Sequence, residues 1–117
     1  IKELINLNID LAFITGGYNS SNTSQLVKIC QNHFETYFIS SEKKLISENE
    51  IIHFDMKKKI EKSQKNYLPN KKIINFLISG GASCPDSVLE RLLEKICKFY
   101  NQPINKNEII KKFLLKY

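Results

Sequence analysis

Arginine is almost missing from this sequence: 17 of its 18 basic residues are lysines, and Arg91 stands alone. A nucleic-acid surface usually adds guanidinium forks and interleaved aromatics to its positive charge, because guanidinium pairs bidentately with phosphate and stacks on bases. Neither pattern is present, so the net charge of +6 does not mark a nucleic-acid binder, although it can steer an anionic small molecule inward. Cysteine is also sparse. Cys30, Cys84 and Cys97 form no C-x-x-C pair, and an odd number without a signal-peptide pattern points to reduced thiols rather than disulfides. No apolar run is long enough to cross a bilayer, so no membrane partner is expected and the expected location is cytoplasmic. His33 and His53 stand apart, one read as a helix side chain and the other as a surface residue. There is no internal repeat and no low-complexity linker. The four glycines fall in two pairs, Gly16-Gly17 and Gly80-Gly81.

What is present is the pattern of an α/β fold. A chain of 117 residues with 42% hydrophobic content supports one domain over residues 1–117 with a modest core. Residues 1–9 read as the end of a helix. Leu11-Ala-Phe-Ile-Thr15 reads as a strand, followed by a small-residue loop and a helix whose apolar stripe is Leu26, Ile29, Cys30 and His33. Thr36-Tyr-Phe-Ile39 reads as a second strand, closing a parallel β-α-β unit. From Glu42 to Asn70 the expectation is short helices and a solvated lysine-rich loop, with Ser47-Glu-Asn-Glu50 as a capping box. Lys72 to Ile78 is almost continuously apolar, as in a strand covered on both faces. Pro85 and Asp86 open a helix carrying Val88, Leu89, Leu92, Leu93, Ile96 and Phe99 at helical spacing. A short last helix is expected around Ile109, Ile110, Phe113 and Leu114. The fold class is therefore a parallel-sheet β-α-β domain with helices on both faces.

Both glycine pairs lie after a strand and before a helix. In parallel sheets that edge collects ligands, because helix N-termini with unsatisfied N–H groups converge there. The first loop, Gly16-Gly-Tyr-Asn-Ser-Ser-Asn-Thr-Ser24, adds hydroxyls and amides at Asn19, Ser20, Ser21, Asn22 and Thr23. It lacks the lysine of a P-loop and has only two of the glycines of a dinucleotide fingerprint, so its spacing indicates an anion site and nothing narrower. The simpler reading is that these residues only cap a helix. Against that, six consecutive polar residues occupy one loop, and the second, Ser79-Gly-Gly-Ala-Ser83, pairs double glycine with Ala-Ser. If the two strands are neighbours, a diphosphate can sit between two helix N-termini, held by neutral donors, with the glycines allowing close backbone approach.

The two motifs, Gly16 to Leu26 and Ser79 to Asp86, resemble those of the 4-hydroxy-3-methylbut-2-enyl diphosphate reductase (LytB) family, with similarity from about Asp10 to Tyr100. The resemblance implies the C-terminal one of three similar domains in a longer iron–sulfur oxidoreductase of the non-mevalonate isoprenoid pathway. That family reduces 4-hydroxy-3-methylbut-2-enyl diphosphate to isopentenyl and dimethylallyl diphosphates. Its implied diphosphate-binding residues are Ser20, Ser21, Asn22 and Ser83. The family's 4Fe-4S cluster is held by three cysteines, and its catalytic glutamate stands in another domain. Neither the cluster motifs nor that glutamate occurs in this chain, so no catalytic residue and no metal ligand is assigned here. Cys30 and Cys97 fall in the second halves of their helices, away from Cys84 at the strand-end cleft, so the three cysteines do not form one ligand set. Cys84 is read as a small residue shaping the loop, with a reactive thiolate at the helix N-terminus as the alternative. The lysines of 57–72 are read as a solvated face, with docking of an acidic ferredoxin or flavodoxin electron donor as the alternative. Other implied partners are the diphosphate substrate and the remaining domains of the reductase. The rival from a different class is a stand-alone phosphate- or diphosphate-binding module without redox activity.

Overall fold

Leu11–Thr15 (β1) has every residue buried, which is only possible for a strand flanked by neighbours on both edges and covered on both faces. A computed structural model supplies this protein's structure, describing residues 9–70, 74–81 and 84–100 and the backbone of 110–112. The helix Ser21–Gln31 (α1) follows β1 and leads to Thr36–Ile39 (β2). After a single 3-10 turn at Glu42–Lys44 come three strands, Leu45–Ser47 (β3), Glu50–Asp55 (β4) and Ile60–Lys65 (β5). The chain then returns through Phe76–Gly80 (β6) and the helix Asp86–Phe99 (α2) to Ile110–Lys112 (β7).

The main sheet has the order β2-β1-β6-β7, and every pairing in it is parallel. Side chains of β1 and β6 alternate between its faces. Leu11, Phe13, Phe76 and Ile78 meet Leu89, Leu92, Leu93, Ile96 and Cys97 of α2 on one face. Ala12, Ile14 and Leu77 meet Leu26, Val27 and Cys30 of α1, with Phe34, on the other. The two helices thus cover opposite faces, as the fold class requires. Burying one such Leu, Ile or Phe fully is worth about 1.5–3 kcal/mol, so the two clusters hold the sheet between its helices.

The buried stripe of α1 is Thr23, Leu26, Val27 and Cys30; Ile29 is half-buried, and His33 lies exposed beyond the helix end. Of the expected stripe Leu26, Ile29, Cys30, His33, two residues are buried, and Thr23 and Val27 take the places of Ile29 and His33.

Further expectations are overturned. The strand expected over 72–78 runs Phe76–Gly80, so Ser79 and Gly80 lie in the strand and not in the loop, because they pair with Ile14 and Thr15 of β1. Glu42 to Asn70 is an antiparallel three-stranded sheet, β3-β4-β5, and not short helices with a loop. Ser47 does not open a helix: its Oγ accepts the Asn49 N–H inside the tight turn between β3 and β4. The second turn is made by Asp55, whose Oδ1 accepts the Lys57 and Lys58 N–H groups, with Lys59 at φ +56°. Residues 110–112, expected in a last helix, form β7 instead, because the edge of β6 offers a parallel partner. His53, expected on the surface, is half-buried in β4 with its ring 5.0 Å from that of Tyr37. Residues 1–8, 105–109 and 113–114, for which helix was expected, lie outside the described residues, as do 71–73. Among the described residues no helix is long and apolar enough to cross a membrane.

Candidate diphosphate site

Strands β1 and β6 are direct neighbours, with Thr15 paired to Gly80 at their carboxyl ends. The loops that follow them therefore leave the sheet side by side. Gly81 N–H donates to the Thr15 carbonyl at 3.3 Å, and Thr15 Oγ1 lies 2.9 Å from Cys84 Sγ. The glycines explain how close the loops come. A Cβ on Gly81 would collide with Thr23 Oγ1, and one on Gly80 would stand 2.8 Å from Cys84 Sγ. The close approach is between the loops and α1, whereas Gly17 has open space around it.

Ser20 is the N-cap of α1: its Oγ accepts the Thr23 N–H at 3.3 Å. Ser21 and Asn22 form the exposed start of the first turn. No acidic side chain sits in that turn, so nothing there offsets the positive end of the helix dipole. The α2 end differs, with Pro85 as an N-cap lacking a side-chain cap bond and the exposed Asp86 in its first turn. Of the expected ligand residues, the structure sets Ser20, Ser21 and Asn22 together on α1; Ser83 lies outside the described residues. Thr23 does not belong to that outward-facing set. It is fully buried, and its hydroxyl donates to Ser20 Oγ at 3.1 Å.

Tyr18 was not singled out from the sequence. It anchors the first loop to the small sheet: its ring stacks on Phe54 at 4.2 Å and its hydroxyl donates to Glu61 Oε2 at 2.8 Å. Lys44 Nζ meets the same carboxylate oxygen at 2.7 Å. Burial raises the Tyr18 pKa and the two partners hold the Glu61 carboxyl low, so phenol and carboxylate keep their hydrogen bond at neutral pH. Only an aromatic residue inside a polar loop could have signalled this brace in the sequence.

The cysteines do not form a metal site. Cys30 lies buried on the α1 face and Cys97 on the α2 face of the sheet, and burial pushes the Cys30 thiol up to about 11. Among the described residues no three His, Cys, Asp or Glu side chains are grouped to hold a metal. Cys84 is half-buried and wedged against Thr15 and Gly80, as expected of a residue that shapes the loop.

The model of the LytB protein family matches residues 1–97. The chain belongs to the LytB family. Its LytB relatives include proteins named 4-hydroxy-3-methylbut-2-enyl diphosphate reductase. That of Crocosphaera subtropica is 38% identical over 95 residues, covering 80% of this chain and 23% of that protein. The one from Trichormus variabilis is 39% identical, with the same coverage of both chains. The Prochlorococcus marinus (strain AS9601) protein is 36% identical over 96 residues, covering 80% of this chain and 24% of its own length. The chain thus spans about a quarter of the length of these LytB relatives. No solved structure matches it.

Proposed function

We propose that this chain is the C-terminal, diphosphate-binding domain of a 4-hydroxy-3-methylbut-2-enyl diphosphate reductase, an iron–sulfur oxidoreductase of isoprenoid biosynthesis acting in the cytoplasm. The observation that carries this reading is the adjacency of the two loops, with Thr15 paired to Gly80 and Gly81 packed on the first turn of α1. In this reading the diphosphate lies against that turn, held by Ser20, Ser21 and Asn22 from one loop and Ser83 from the other. Backbone N–H, hydroxyl and amide donors suit a diphosphate because they remain in place without the solvation cost of a buried charge. Holding the diphosphate fixes where the allylic hydroxyl at the other end of a short substrate can reach.

The residues of this chain do not fit the cluster, since Cys30 and Cys97 are buried on opposite faces of the sheet. The 4Fe-4S cofactor, the catalytic groups and the contacts to an acidic ferredoxin or flavodoxin are therefore assigned to the whole reductase, with the cluster ligands outside this chain. The test is the full-length protein purified without oxygen. A brown, iron-bearing protein in which Asn22→Ala and Ser83→Ala each raise KM and lower kcat supports the reading, because diphosphate binding energy also positions the reacting end. A colourless protein without iron supports the rival, a phosphate-binding module with no redox chemistry.

A further inference from the structure

We propose that Thr23 is a positioning residue that makes the Ser20 hydroxyl a dedicated donor toward the diphosphate, an inference that rests on the diphosphate reading above. A serine hydroxyl has one hydrogen to give and two lone pairs with which to accept. At Ser20 both lone pairs are engaged from within α1, by the Thr23 N–H at 3.3 Å and by the Thr23 hydroxyl at 3.1 Å. An N-cap needs only the first of these bonds. The second leaves Ser20 with nothing but its proton to offer at the mouth of the loop. An anion there gains a donor, while a cation or a donor group finds no lone pair. This is selection for an anion without a charged side chain, in a chain whose one arginine, Arg91, is engaged elsewhere with Glu42 at 2.9 Å.

Thr23 is held where it is. It is 0% exposed, and its Oγ1 and Cγ2 are 2.7 and 2.8 Å from where a Gly16 Cβ would stand. Its Oγ1 also fills the space of a Cβ on Gly81. The side chain cannot change rotamer without displacing both loops, so its hydroxyl stays aimed at Ser20.

The experiment is calorimetric titration of the full-length protein with inorganic diphosphate. Thr23→Val keeps the shape and removes the hydroxyl, and it is expected to weaken binding about tenfold, the loss of one well-placed hydrogen bond to an anion. Thr23→Ser keeps the hydroxyl and is expected to bind more nearly as the parent does. In a Ser20→Ala background, Thr23→Val should add no further loss, because its effect runs through Ser20. If Thr23→Val does not fold, Thr23→Ala removes the same hydroxyl without overfilling the site and gives the same comparison. Parent-like affinity in the hydroxyl-free variant, or losses that add in the double variant, overturns the inference while leaving the diphosphate reading intact. A parent protein that does not bind inorganic diphosphate overturns that reading and this inference with it.

Discussion

Thr15 Oγ1 and Cys84 Sγ lie 2.9 Å apart although 69 residues separate them in the chain. This contact joins the end of β1 to the start of the α2 approach, and it leaves no volume beside Gly80. The neighbouring Gly81 is closed in the same way by Thr23. Gly81→Ala is therefore expected to force α1 and the second loop apart. Overfilled sites of this kind cost about 1–3 kcal/mol, read as a lower urea midpoint with an unchanged slope. Gly17→Ala, in open space, should be close to neutral in the same measurement.

The three thiols should react very differently. Cys30 and Cys97 are buried, and burial raises the pKa of both, to about 11 for Cys30. Cys84 is half-buried at the loop edge. Alkylation at neutral pH, followed by peptide mass mapping, is expected to mark Cys84 in the folded protein and the other two only after denaturation. Saturating inorganic diphosphate should slow the reaction at Cys84. Equal labelling of Cys30 and Cys84 in the folded state would contradict the packing described.

How far the sequence revealed the fold follows from where its apolar residues lie. Leu11–Thr15 and Phe76–Gly80 are both buried throughout, and both strands were legible from their apolar blocks, the first with its bounds; the second, expected over 72–78, runs on through Ser79 and Gly80, whose small side chains resemble a loop in sequence. β5 was not legible. Ile60–Lys65 is exposed along almost its whole length, so no face supplies an alternating pattern. Its strand character comes from pairing with β4 and from Lys62–Asp55 and Lys65–Glu50 contacts at 2.9 Å. Its turn hides the usual signal, since Lys59 takes a positive φ where glycine or asparagine would have announced it. At the site, the motif residues stood out as a polar run, but composition could not separate Thr23, which is buried, from Ser21 and Asn22, which are exposed.

Acid should destabilise the small sheet through His53. Burial against Tyr37 lowers its pKa, with the Lys62 charge adding to the shift and Asp55 opposing it. The folded protein then holds the His53 proton less tightly than the unfolded chain does. Stability is present above the ordinary histidine value of about 6.5 and is lost as pH falls below it. His53→Phe should flatten this part of the urea-midpoint profile relative to the parent. Asp55 acts lower down: hydrogen bonding to Lys62 and to the turn N–H groups depresses its pKa to about 2, so its contribution disappears as pH falls toward that value.

Lys57, Lys58 and Lys59 sit exposed on the β4–β5 turn, beside an open groove of about 490 Å³ lined by Tyr18, Asn19, Lys28, Phe54, Met56 and Lys59. If an acidic electron donor docks there, replacing the three turn lysines by glutamine should slow electron delivery and reduce its salt dependence, leaving diphosphate affinity unchanged. Stopped-flow reduction at several ionic strengths reads the difference. Unchanged rates would leave these lysines as a solvated face.

The most direct measurement is a crystal structure of the full-length protein with inorganic diphosphate. Density is expected against the first turn of α1, with Ser20, Ser21 and Asn22 donating to one side of the anion and Ser83 to the other. Diphosphate bound away from these residues, or in contact with only one of the two loops, would contradict that placement.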